Sequence, residues 1–283
     1  MWAVECGTVA TLVWMILSSV PIVQAVPWPW FTGLAAMVAY AVAAWPAATL
    51  RGWPTLALSI GWLAHGVALA IDIFAPEHGA RFGFAPVLSV TLWLVLAVYM
   101  VESRFVPLPG VRRALALAGL AVVLLVVAFP GEVRAQAESP LLPLHWLLGI
   151  ASYGLFGAAV LHASLLDGAE RRMRLKTGAP AGAMLGIPLL RLERLTFRFV
   201  EAGFVVLSAA LVLGLQSAQQ WRWDHKTVFS VLGWATFAAL IAGRHASGWR
   251  GRRATRWLYA GAALLLLGYV GSRFVFEVIL QRV

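Results

Sequence analysis

The stretch QQWRWDHKTVFS, residues 219–230, sets two tryptophans, an aspartate, a histidine and a lysine directly ahead of a long apolar run. A second histidine, His145, opens another such run in PLLPLHWLLGIASYGLFGAAVLHASLL. Imidazole nitrogen is a common axial ligand of haem iron, and two imidazoles from different helices would pin a flat, apolar macrocycle between them. His145 and His225 could act in this way, with Trp221, Trp223, Trp146 and Trp234 as aromatic walls. Gly149, Ser152, Gly154 and Gly157 are small enough to let one helix approach a neighbour or a ring. The same residues admit a plainer account. Interfacial tryptophans belong to the aromatic belt of membrane helices. A helix-initial histidine can simply hydrogen-bond at the interface, and Asp224 can cap the helix that follows it. Spacing alone leaves both accounts open.

The elements that would carry these residues are membrane helices. The 283 residues are 61% hydrophobic and 12% charged, with a mean hydropathy of +0.83. A soluble domain is about one quarter charged. Apolar runs of membrane-spanning length, about 20 residues, recur along the whole chain. The apolar segments fall at roughly 7–25, 31–50, 54–75, 85–102, 112–129, 141–166, 194–215, 226–243 and 256–280. They predict an all-α, polytopic transmembrane bundle of nine spans, or eight if the first segment is cleaved. That first segment ends in Val-Gln-Ala but lacks the basic start of a signal peptide, so an uncleaved helix is favoured. Residues 1–30 thus read as an extra N-terminal segment, and 31–283 as the main transmembrane domain.

Charge placement sets the expected orientation. The connections 103–113, 167–198 and 244–256 are rich in arginine, whereas those at 76–84, 130–140 and 216–225 carry one basic residue each. The basic connections should be cytoplasmic and the C-terminus outside. The net charge of +10 is then topology, with some contact to membrane lipid, and calls for no nucleic acid. Residues 167–193, with KTGAPAGAMLGIP, read as a flexible inner linker. One cysteine, Cys6, and no CxxC leave disulfide scaffolds, thiol relays and thiolate metal sites unsupported. Nor is there a nucleophile–base pair or a phosphate loop, and no enzymatic activity is expected.

Depth separates the histidines. His145 and His225 share the outer surface, but His162 lies 17 residues beyond His145, about 25 Å along a helix. It belongs to the inner side. His65 sits near the middle of its span and is the remaining candidate for a metal within the membrane. Arg273 and Glu277 stand four apart and should pair on one helix face, although the arginine could instead meet a haem propionate. Glu201 is expected to pair with Arg198.

The segment WRWDHKTVFSVLGWATFAALIAGRHASGWRGRRATRWLYAGAALLLLGYVGSRFVFEVIL resembles the C-terminal third of the CcsA/HemX-like cytochrome c assembly family. That family carries a Trp-rich signature ending in Trp-x-Trp-Asp, matched here by Trp221, Trp223 and Asp224. LHWLLGIASYGLFGAAVLHASLL is similar to the family's outer-face histidine helix, with His145 at the position of a haem ligand and Tyr153 two turns on. The similarity covers roughly residues 31–283, and in size and pattern it points to the short YpjD-like members. It implies a protein of the bacterial inner membrane that binds haem b and presents it at the outer face for cytochrome c assembly. Partners would be other assembly proteins or an apocytochrome. Family members place a second outer-face histidine after the last span, and His225 is the nearest replacement here. The resemblance equally admits a HemX-like regulator of a tetrapyrrole-synthesis enzyme. A small-molecule transporter is disfavoured because no paired broken helices or internal repeat are visible.

Overall fold

The computed structural model describes residues 28–45, 52–74, 80–104, 109–134, 141–175, 189–217 and 224–280. The first apolar segment, 7–25, lies outside them. Among the described residues the helices are α1 (Trp28–Ala44), α2 (Trp53–Phe74), α3 (Phe84–Glu102), α4 (Pro109–Ala128), α5 (Leu141–Arg174), α6 (Leu189–Ser217), α7 (His225–Ser247) and α8 (Gly251–Leu266). Two π-helical turns, Leu267–Gly271 and Val275–Ile279, continue α8 around the short helix Ser272–Phe274. Among the described residues, seven helices are long and apolar enough to cross a membrane, and Trp30–Ala44 is a shorter apolar one. The expected polytopic bundle is therefore present.

Helices this apolar gain little from hiding from lipid, so close packing and polar contacts must hold them together. Two cores result. Ala36, Tyr40, Leu58, Leu96 and Ala116 centre the first, which joins α1 to α4. Phe156, Val200, Phe237, Leu240 and Leu258 centre the second, which joins α5 to α8. Phe156 and Phe237 stack with centroids 3.8 Å apart. The seam between the halves is α3 against α5. A β-carbon at Gly154 would lie 2.7 Å from Leu94, and one at Gly157 would lie 2.7 Å from Val95. These glycines exist to bring α5 against α3.

Polar pins cross the bundle where sequence gave only apolar runs. Trp62 and Trp93 stack with centroids 4.8 Å apart, each indole N–H donating to the other's backbone carbonyl at 3.1 and 3.0 Å. Asp167 accepts from the hydroxyls of Thr255 (3.1 Å) and Tyr259 (2.9 Å). This contact explains one correction. Residues 167–174 are not linker but the end of α5, whose 34 residues run about 51 Å, well past a hydrocarbon core of about 30 Å. The connection to α6 is correspondingly shorter, since that helix begins at Leu189.

A short antiparallel ribbon was not expected from the sequence. Strand β1 (Ala80–Phe82) pairs with β2 (Glu132–Arg134), setting Phe82 opposite Glu132. Gly131 makes this possible, with φ of +76° and the Phe82 carbonyl 2.7 Å from where its β-carbon would be. The ribbon closes the end of the bundle at which α3 and α5 begin. The arginine-rich connections lie at the opposite end.

Candidate functional site at the ribbon end

Beneath the ribbon is a cavity of about 120 Å³, lined by Phe82, Val87, His145, Trp146, Gly149, Ile150, Tyr153 and Tyr269. It sits on the seam, with walls from β1, α3, α5 and the first π-helical turn. Phe82 narrows its half-open mouth by packing on Trp146, centroids 4.5 Å apart. Tyr153 contributes its ring, because its hydroxyl donates to the Leu265 carbonyl and ties α5 to α8. Gly149 leaves open space, with nothing within 4 Å of an added β-carbon.

His145 is oriented by its neighbours. Its Nδ1 lies 2.7 Å from the carbonyl oxygen of Ala210. A carbonyl only accepts, so Nδ1 carries a hydrogen and Nε2 is the nitrogen left for a ligand. Gly214 makes room for the ring, with the imidazole Cε1 2.9 Å from the position of a β-carbon there. A histidine that donates one N–H to a backbone carbonyl while the other nitrogen is left basic is the usual arrangement of a metal-ligating imidazole.

The other expected residues fall differently. His225 is the first residue of α7, exposed, with its ring 5.7 Å from that of Phe276. It is not on the cavity lining, although Lys226 beside it stands 6.0 Å over the ring of Tyr269, which is. Trp221 and Trp223 lie outside the described residues. Asp224 caps α7, accepting from the Thr227 N–H at 2.8 Å. Partial burial opposes ionisation of Asp224, but the Thr227 bonds and the charges of Lys226 and His225 prevail and hold its carboxyl below the usual range. Trp234 is committed elsewhere, donating to Ser208 at 2.9 Å and stacking on Phe204.

His65 is a pin rather than an open ligand. It is 2% exposed, with Nδ1 3.1 Å from the Tyr40 hydroxyl and Nε2 2.7 Å from Ser89, so both nitrogens already have partners. Arg273 is also paired, though not through every donor. It pairs with Glu132 of the ribbon at 3.1 Å and with Glu277 at 3.9 Å, so the expected helix-face pair exists but the closer partner comes from β2. Glu201 pairs with His245 at 3.7 Å instead of with Arg198. At the basic end, His162 is 1% exposed and its Nε2 lies 2.8 Å from Glu102, far from the cavity as its sequence position implied. The sequence offered no sign that Phe82 and Tyr269 share a cavity with His145, or that Glu132 pairs with Arg273 beside it. The one available signal was the glycine pair Gly83 and Gly131 in the two connections at this end.

Fold and site together define a multi-pass α-helical membrane protein with an oriented histidine in an aromatic cavity at one end. Residues 53–280 match the family model described as cytochrome C assembly protein, and the chain belongs to that family. It is 28% identical over 239 residues to inner membrane protein YpjD of Escherichia coli K12, covering 81% of this chain and 89% of that one. To cytochrome c biogenesis protein CcsA of Synechococcus sp. (strain CC9311) it is 26% identical over 260 residues, covering 78% and 84%. A CcsA of Prochlorococcus marinus (strain MIT 9515) matches at 32% identity over 89 residues, 30% of this chain and 28% of that one. No solved structure matches the chain.

Proposed function

We propose that this protein binds haem b in the bacterial inner membrane and serves cytochrome c assembly by holding haem at the outer face, with His145 as axial ligand. The observation that carries the reading is the Nδ1 hydrogen bond of His145 to Ala210, which leaves Nε2 as the uncommitted nitrogen of a residue that lines an aromatic cavity. Family membership supports the errand, and the arginine-rich connections at the opposite end support an outward-facing site. His225 is the second imidazole at this end and the proposed opposite ligand. The family signature proposes Trp221, Trp223 and Asp224 as further haem contacts, and Arg273 would be the cation for a propionate.

The donor set fits haem. An imidazole with Nδ1 committed to a carbonyl, Trp146, Tyr153 and Tyr269 suit iron and a flat apolar ring. The volume is tighter, because a cavity of about 150 Å³ holds one benzene ring, and a porphyrin is several times larger. Holding the whole ring would require Phe82 to move away from Trp146. Haem would supply the iron that the recipient cytochrome needs. The chain's own part is binding, orientation and exclusion of water, without breaking covalent bonds.

The test is an absorption spectrum of detergent-purified protein, oxidised and dithionite-reduced, for wild type, His145→Ala and His225→Ala, with and without added haemin. A sharp reduced α-band in wild type that both variants lose is the expected result. A wild-type band in His145→Ala sinks the ligand assignment. An unchanged band in His225→Ala removes that residue as the second ligand. Protein that takes up no haemin at all supports the regulatory account.

A further inference from the structure

Three charges meet where the ribbon touches the C-terminal helix, and they are unusually dry. The side chains of Arg273 and Glu277 are 8% and 9% exposed, and that of Glu132 is 25% exposed. Arg273 Nε and Glu277 Oε1 are buried without a hydrogen-bond partner. Such orphans are rare in native structures and each needs a reason. Glu277 also lies against the start of α3, with its oxygens 3.1 and 3.2 Å from where a β-carbon of Gly83 would be. Arg273 and Glu277 occupy the π-helical end of the chain, a distortion common at functional sites. The cluster borders the cavity on two sides. Tyr269 lines it one turn before Arg273, and Phe82 narrows its mouth directly opposite Glu132.

Resting on the haem reading, we propose that the β1–β2 ribbon is a latch, and that a carboxylate of an incoming planar, apolar dianion displaces Glu132 from Arg273 and so frees Phe82 from Trp146. One arginine thereby both holds the ribbon against the half-open cavity and receives the ligand's acid group. The half-satisfied state of Arg273 suits such an exchange, because its planar guanidinium has donors to spare and reads any carboxylate alike. The latch also resolves the mismatch between the cavity's volume and a porphyrin. Uncharged or monocationic aromatics would not open it.

Purified full-length protein in detergent would be titrated with haemin and with haemin dimethyl ester, comparing wild type, Glu132→Gln and Arg273→Gln. Amide hydrogen exchange of residues 80–84 and 131–134 would be followed without haemin. Glu132→Gln should raise exchange across the ribbon and speed haemin uptake about tenfold, the factor expected of one charge-assisted contact. Wild type should favour the diacid over the diester about tenfold, and Arg273→Gln should lose that preference. Arg273→Gln leaves two carboxylates facing each other, so Glu132→Gln carries the test, with ribbon exchange as the readout that does not depend on haemin. Equal uptake rates in Glu132→Gln and wild type, or equal ribbon exchange in the two, overturn the latch and leave the haem reading standing. Failure of every form to take up haemin overturns both.

Discussion

Gly214→Ala tests whether the orientation of His145 matters. An added methyl at Gly214 would lie 2.9 Å from the imidazole Cε1 and 3.3 Å from Nδ1, so the ring must swing away from the Ala210 carbonyl. Overpacking costs about 1–3 kcal/mol, and the lost hydrogen bond about another 1 kcal/mol. Alanine returns about 1 kcal/mol of helix propensity, leaving a net loss of about 1–3 kcal/mol. Gly168→Ala is the control, on the same kind of helix but with nothing within 4 Å of the new methyl. It should gain about 1 kcal/mol. Unfolding of the two variants in one detergent should thus differ by about 2–4 kcal/mol. Haemin affinity provides the functional arm, since loss of an orienting partner typically weakens metal binding about 10–100-fold. Equal stability and equal haemin affinity in the two variants would refute the claim that Ala210 and Gly214 set the imidazole.

Further outcomes follow from the polar contacts. Tyr40→Phe leaves one nitrogen of the buried His65 without its partner and should destabilise the bundle by about 1–3 kcal/mol. Haemin uptake should not change, because His65 is a packing pin between α1, α2 and α3. A changed haem spectrum in that variant would make His65 a ligand after all. Asp224→Ala removes the cap on α7 and should cost about 1 kcal/mol, read as faster amide exchange at Thr227 and Val228. Because the Asp224 carboxyl is held below its usual value, the cap's contribution is complete above the ordinary carboxylate pKa of about 4 and fades as pH falls through the lower folded value. Cap protection that weakened only on raising the pH would contradict this assignment.

Hydropathy made the bundle legible because lipid demands one long apolar run per span, and α2 to α8 fall on the expected segments. The Asp224 cap was legible for a local reason: its carboxylate meets a backbone N–H three residues on. What could not be read were contacts between distant residues. Glu132 and Arg273 are 141 positions apart, and nothing local in either segment signals the other. The ribbon strands are only three residues each, below the length at which alternation can be seen. His65 shows the opposite failure. A histidine within a span suggests function, yet Tyr40 and Ser89 satisfy it completely. His145 was legible as a candidate by type and depth, whereas its tautomer emerged only with the Ala210 carbonyl from another helix.

The most direct measurement of the central claim is chemical rescue of His145→Gly. The variant would be purified, loaded with haemin, reduced with dithionite and scanned with and without imidazole. If Nε2 of His145 ligates the iron, the variant lacks the sharp low-spin α-band and free imidazole restores it by entering the space the side chain vacates. A wild-type band without imidazole, or no restoration in a variant that still binds haemin, would contradict the account.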